Sequence, residues 1–360
     1  MQQKKKPTIY DVAKESGYSI ATVNRALNDK SNVNSLTKQR VLDAVDKLGY
    51  KPSRAAASLS RVPTKIAVII NSTIYGFISE VKRGIQHSAD EYADFGLETD
   101  IFEIRDGERS DLRFFNKLQE LMHGGYDGII MLPNSELGVA ELLNTSESTE
   151  KPVFATVVSN VPSSRIVFSV RSNGRVAGRM ASDLLGMMHA KSSSVAIVTG
   201  KSDWIVHRET IQGFKERILD NHLELKGVYE HFDNPAIAFS LADKLLEEIP
   251  DIGGIYFSSA NSVTFCKRLI ELGRIHDINI VTSDIFPEIE ALINDGYVNA
   301  TIFQDPFNQG KMVLKYMYEY IAENRRFHES DILLNPSIIL KSNLELYKKN
   351  IEFIKNDRFI

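Results

Sequence analysis

A chain of 360 residues, 43% apolar and 25% charged, has the length for two or three domains and the balance of a globular protein. Its net charge of −4 hides an asymmetry: residues 1–61 hold 12 Lys/Arg against 5 Asp/Glu, and the rest hold 31 against 42, so a polyanion is expected to meet the head alone. The single cysteine, Cys266, excludes an intramolecular disulfide and a thiolate metal cluster, and no apolar run approaches the ~18 residues of a membrane span.

The N-terminus has lysines but no apolar segment behind them, so no signal peptide and a cytoplasmic location are expected. From Thr8 the chain reads TIYDVAKESGYSIATVNRALND. Thr8 suits the N-cap of a helix over Tyr10–Ser16, with Asp11 three residues on, and Gly17 suits its left-handed stop. Ser19 suits the cap of a second helix from Ile20 to Asn28. A third, from about Ser35 to Leu48, keeps the 3.6-residue period through Val41, Leu42, Val45 and Leu48, and Gly49 ends it.

The second helix divides by face. Thr22, Val23, Ala26 and Leu27 are placed to pack inward; Ile20, Ala21, Asn24, Arg25 and Asn28 are placed outward. Helix, glycine turn, helix is the helix-turn-helix pattern, whose second helix enters the DNA major groove by its N-terminus. Arg25 can donate twice to guanine, Ile20 and Ala21 can touch thymine methyls, and Tyr10, Ser19, Thr22, Asn28 and Asn34 can hold phosphates. The same pattern also fits a small helical interaction domain. Along its whole length, however, the stretch from Thr8 to Leu59 resembles the lactose-repressor family of bacterial transcription regulators. That resemblance implies that Ile20, Ala21 and Arg25 read bases. It departs from the family at Tyr18, usually Val, and at Asn24, usually Ser.

The joint YKPSRAAASLSRVPTK is bracketed by Pro52 and Pro63. Ser53–Ser60 is long enough for about two helical turns, marginal alone in water. The resemblance implies a hinge helix that folds when two copies meet over the minor groove, with Leu59 wedging between base steps. The family's usual basic residue two before the leucine is Ala57 here.

From Lys65 the period changes. KIAVII, GLETDIF, DGIIML, PVFAT, RIVFSV, SVAIVT, LKGVYEHF, GGIYFS, NIVTS and NATIF read as ten short strands alternating with helices. That predicts an α/β body of two doubly wound parallel-sheet lobes behind an all-α head. The expected domains are 1–51, a linker at 52–63, the two-lobed body at 64–341 and an amphipathic extension at 342–360. The lobe boundary is expected near Pro162, with the chain recrossing between 290 and 330. Ligands on such sheets lie beyond the carboxyl ends of strands. There the sequence places Tyr75, Phe77, Asn134, Trp204, Arg208, Asn261, Asp284 and Gln304, a set suited to gripping hydroxyls and stacking on sugar faces.

The motifs RETIQGF, SSANS, TSD and QDPFNQG, in that order, resemble the periplasmic sugar-binding fold, its ribose-binding branch above all. The resemblance maps pocket residues onto Phe77, Asn134, Arg208, Asn261, Asp284 and Gln304. Val157 and Val158 stand where many such sites carry an Asp-Arg pair, and Ser172 where Asp is common, so that wall is expected to be more apolar. GxSxG, Walker, HExxH and GxGxxG signatures are absent and the eight histidines lack metal-ligand spacing, so neither catalysis nor a cofactor is expected. The resulting expectation is a cytoplasmic homodimer that binds a near-palindromic double-stranded DNA operator under control of a small effector, a carbohydrate by preference. A sugar-binding protein without DNA function, a sugar-metabolising enzyme with an N-terminal extension, and a regulator with a purine or protein co-regulator are the alternatives.

Overall fold

The computed structural model describes residues 7–27, 33–49, 62–71, 75–105, 110–133, 135–147, 150–188 and 193–347. Two compact units emerge, a helical head and a larger body.

In the head, α1 (Ile9–Ser16), α2 (Ile20–Leu27) and α3 (Ser35–Leu48) enclose Val12, Val23, Ala26, Val41 and Ala44. The caps fall where the residue types require. The Thr8 backbone N–H and hydroxyl both donate to Asp11 Oδ2 at 2.7 Å, and Gly17 and Gly49 close α1 and α3 at φ 74° and 62°, a region closed to most side chains. Tyr18, the departure in the turn, folds its ring into this small core, and its hydroxyl accepts from Thr37 Oγ1 at 3.5 Å. The substitution therefore repacks the turn.

The body is two six-stranded sheets. Lobe 1 holds β1 (Thr64–Asn71), β2 (Leu97–Ile104), β3 (Gly128–Met131), β4 (Val153–Val157), β5 (Ile166–Ser172) and β11 (Asp331–Leu334), in the order β11-β5-β4-β3-β1-β2. Lobe 2 holds β6 (Ser194–Thr199), β7 (Glu224–Glu230), β8 (Gly254–Phe257), β9 (Asn279–Ser283), β10 (Ala300–Phe303) and β12 (Ser337–Ile339), in the order β12-β10-β9-β8-β6-β7. Every pairing is parallel except β10 with β12. Parallel strands flanked by helices on both faces bury every residue, which is why β3, β6, β8 and β10 are buried along their whole length and largely apolar. Around lobe 1 lie α4 (Tyr75–Ala93), α5 (Ser110–Met122), α6 (Glu136–Thr145) and α12 (Pro306–Ala322). Around lobe 2 lie α7 (Gly174–Met187), α8 (Ile205–Arg217), α9 (Pro235–Glu248), α10 (Ser262–Glu271) and α11 (Pro287–Asn294).

The ten anticipated strands are present, and two short ones, β11 and β12, were not anticipated. The lobe boundary differs from the one expected at Pro162. β5 follows that proline yet pairs with β4, so the chain leaves lobe 1 only after Ser172. It returns between Phe303 and Pro306, and crosses again between β11 and β12. The extension begins as body: Leu344 is buried, and the Tyr347 ring meets Phe303 edge-on at 5.1 Å in the lobe 2 core. No helix among the described residues is long and apolar enough to cross a membrane.

Candidate nucleic-acid interface and interlobe cavity

α2 starts on Ser19, whose Oγ accepts from the Thr22 N–H at 3.2 Å and bonds the Thr22 hydroxyl at 2.9 Å. Val23 and Ala26 face the head core, while Ala21 and Arg25 are exposed and Ile20 is half-buried. The division of faces read from the sequence therefore holds for these residues. Tyr10 is exposed, and Asn34 caps α3 by accepting from the Leu36 N–H at 2.7 Å. Thr8 is engaged with Asp11 as described. Asn28 and Leu59 lie outside the described residues, and of Asn24 only the backbone is described.

In the body, Asn71, Phe77, Ile78, Leu132 and Val158 of lobe 1 face Trp204, Val206, His207, Thr210, Ser258, Ser259, Ala260, Ser283, Asp284 and Phe286 of lobe 2, with Gln304 at the crossing, around a cavity of about 70 Å³. It lies at the carboxyl ends of β1, β3, β6, β8 and β9, where this topology puts ligands. Phe77, Trp204, Asp284 and Gln304 of the expected set come together here. Asn134 lies outside the described residues, and of Tyr75 only the backbone is described.

Arg208 and Asn261 do not line the cavity. Residues two apart on an α-helix point about 200° apart. Val206 and Thr210 take the inner face of α8, so Arg208 faces out and donates from Nη1 to the Asp203 carbonyl at 2.7 Å. Asn261 sits in the left-handed region at φ 71° ahead of α10, just past Ser258, Ser259 and Ala260, which do line the cavity. The apolar wall expected at Val157 and Val158 is divided. Val157 is in the lobe 1 core, and Val158 reaches the cavity from φ 69°, a strained conformation for a β-branched residue.

Asp284 is 4% exposed, and its oxygens accept from the Gln304 backbone N–H at 2.9 Å and Gln304 Nε2 at 2.8 Å. Burial, against those two bonds, pushes its pKa up to about 7. His207 is pushed down to about 4 by burial and by His231, and His231, bonded through Nε2 to the Ser259 hydroxyl at 2.7 Å, is pushed down to about 4 by burial. These have opposite consequences. Asp284, raised in the fold, contributes stability that is complete below about pH 4 and lost as pH rises through about 7. The depressed histidines contribute stability that is present above their ordinary 6.5 and lost as pH falls through about 4. Asp284→Asn should therefore remove only the first component. The melting temperature of the variant relative to the parent should climb from pH 5 to pH 8. A difference that does not change with pH would show that the carboxyl titrates normally.

Two contacts missed in the sequence join the lobes. Glu136, at the start of α6, is 9% exposed. It accepts from the Ser159 hydroxyl and from the Ile205 N–H, the first of α8, at 3.1 Å to each oxygen. Burial holds its carboxyl above the usual range. Arg171 of β5 has a side chain only 3% exposed and grips Asp331 of β11 and Glu209 of α8. A guanidinium inside the strand VFSVRS was the available signal, since a charge in a buried strand requires a partner. Glu136 gave none, because an acid at a helix start is ordinary.

The chain matches the "Periplasmic binding protein domain" model over residues 66–325 and the "Bacterial regulatory proteins, lacI family" model over 8–53. It is 28% identical over 245 residues to catabolite control protein A of Priestia megaterium, covering 67% of this chain and 70% of that one. It is 24% identical over 343 residues to the HTH-type transcriptional regulator pepR1 of Lactobacillus delbrueckii subsp. lactis, covering 93% and 97%. The crystal structure of a periplasmic ribose ABC transporter from Conexibacter woesei superposes with a TM-score of 0.71 at 14% identity, over 82% of this chain and 97% of that one, a likeness of fold. By the pairing of a lacI-family helix-turn-helix domain with a periplasmic-binding-protein domain, the chain belongs to the lacI family of bacterial regulatory proteins, DNA-binding transcriptional regulators with a periplasmic-binding-protein-like effector domain.

Proposed function

We propose that the protein acts in the cytoplasm as a homodimeric repressor of a near-palindromic operator, released or recruited by a small ligand held between its lobes, and that it performs no catalysis. The observation that carries this is the joint presence of an exposed α2 face bearing Ala21 and Arg25 and an interlobe cavity bearing Asp284, Gln304 and aromatic faces. Phe77, Trp204, Asp284 and Gln304 are its proposed ligand contacts, with Tyr75 and Asn134 nearby in sequence, while Arg208 and Asn261 stand outside the lining. A two-fold protein pairs with a two-fold site. Selection of binding sequences from a random duplex library by the full-length protein should yield inverted repeats; single, unpaired half-sites would refute the dimer. Against the selected operator, Arg25→Ala should cost about 1–3 kcal/mol and relax preference at one base pair per half-site, as loss of a bidentate base contact does. Equal weakening on all sequences would instead mark Arg25 as a phosphate contact.

The cavity of about 70 Å³ is far below the roughly 300–1,000 Å³ of ligand pockets. Entry of a sugar-sized ligand thus requires the lobes to part. The ring of Phe286 over the backbone of Gly76 marks how closely they meet, since a Cβ at Gly76 would stand 2.5 Å from that ring. A ligand that favours one lobe arrangement shifts the population of that arrangement, and the effect on DNA affinity is reciprocal.

A further inference from the structure

We propose that the effector is positively charged: a compact amine-bearing compound, such as an amino polyol, whose ammonium is held by Asp284 among the rings of Phe77, Trp204 and Phe286. This rests on reading the interlobe cavity as the effector site. Among the described residues lining it, only Asp284 and His207 are ionisable, and none is a lysine or arginine. The helix face that could have supplied a guanidinium presents Thr210, and Arg208 is turned away onto the Asp203 carbonyl.

Asp284 is bonded by neutral donors alone, and two oxygens carry about four lone-pair sites, so capacity remains toward the cavity. Its backbone is fixed, the N–H donating to the Ile302 carbonyl at 2.9 Å and the carbonyl accepting from Thr301 Oγ1 at 2.7 Å, and the bonds from Gln304 hold the carboxyl itself. The charged or titratable groups around it offer no compensation. Asp305, at the start of α12, adds negative charge; Tyr256 of β8 stays neutral; His207 of α8 stays neutral. A buried anion without a cationic partner is costly, and a ligand cation removes that cost.

The walls favour the same charge. Aromatic faces attract cations through their quadrupoles. Trp204 already carries one, with the Lys201 ammonium 5.4 Å from its ring centre, and Lys201 itself does not line the cavity. A phosphate or carboxylate in the same space would meet Asp284 with no opposing charge. The expected order of affinity is therefore ammonium, then neutral, then anion. Because Asp284 binds its proton up to about pH 7, an ammonium ligand must displace that proton at lower pH. Its affinity should rise with pH from 5.5 to 7.5, and binding should release a proton.

The test uses the full-length protein and charge-matched pairs: glucamine against sorbitol, galactosamine against galactose, with glucose 6-phosphate as the anion. Thermal shift and calorimetry at pH 7.5 should show at least one amine binding tenfold or more tightly than its neutral partner, and no binding of the phosphate. Asp284→Asn should abolish that preference. If the variant does not fold, the pH series on the parent protein decides, and an affinity unchanged between pH 5.5 and 7.5 overturns the charge assignment. A neutral member that binds as well as its amine partner also overturns it, while leaving the effector site in place. Silence from every compound, in a protein that melts cooperatively, overturns the effector reading and this inference together.

Discussion

Arg171→Met is expected to cost about 3–5 kcal/mol, as breaking a buried ion pair from one side does, and to let the lobes drift apart. The guanidinium is spread over two partners. Nε and Nη2 reach Asp331 at 2.9 and 2.6 Å, and Nη1 and Nη2 reach Glu209 at 2.5 and 3.0 Å. Burial opposes the charge, yet the two carboxylates more than offset it and hold the pKa above its usual value. Asp331 is in the same lobe as Arg171 and Glu209 is in the other. The variant therefore loses both the anchor of β11 and a tie across the cleft. In a body of this size, ~2–4 °C is lost per kcal/mol, so the melting point should fall by roughly 10 °C.

Glu209→Gln separates the two roles. It removes the tie across the cleft and leaves Arg171 on Asp331. A smaller loss is expected, about 1.5–3 kcal/mol for one charge-assisted contact, with an increase in the radius of gyration by solution X-ray scattering. If Glu209→Gln leaves both melting and scattering unchanged while Arg171→Met is severe, Arg171 serves only to seat β11 and the tie is an incidental contact. Glu136 acts on the same helix from another side, its carboxylate covering the first N–H of α8. Both lobe 1 groups thus hold α8, the helix that carries Val206, His207 and Thr210 into the cavity. Closure and the shape of the site are set by one element.

That shared element also shows what sequence could and could not convey. The head was legible almost in full because its signals are local: Thr8 and Asp11 three apart, glycines at two helix ends, and inward and outward residues sorted by the helical period. The ten main strands were legible because burial on both faces forces apolar runs. β11 and β12 were not, being four and three residues long and given meaning only by their neighbours β5 and β10. The boundary at Pro162 failed because a loop that looks like a linker joins two strands of one sheet. Around the cavity, Asp284 and Gln304 follow strands, so position alone places them at its lining. Arg208 instead meets the Asp203 carbonyl, because the motif RETIQGF fixes the helix but not its rotation, and that rotation is set by packing against α7.

The packing of α7 on α8 can be broken by a single methyl group. A Cβ at Gly213 would stand 1.9 Å from the Arg175 carbonyl oxygen, and one at Gly178 would stand 2.0 Å from the Thr210 carbonyl oxygen. These neighbours are backbone, so no side chain can turn aside. In an exposed helix, glycine to alanine gains about 1 kcal/mol. Here the sign should reverse, with Gly213→Ala costing about 3 kcal/mol or more by overpacking and Gly213→Val costing more still. Denaturant midpoints would show it, and a stabilised Gly213→Ala would disprove the close crossing. Lobe 1 provides the comparison. At Gly84 of α4 a Cβ would stand 1.9 Å from the Phe307 carbonyl of α12, away from α8. Gly84→Ala and Gly213→Ala should therefore destabilise alike, but only the second displaces Thr210 and Glu209. Ligand affinity, measured well below the melting point of either variant, should fall with Gly213→Ala and hold with Gly84→Ala. Equal loss in both would mean that the site responds to the stability of the body as a whole and not to the seating of α8.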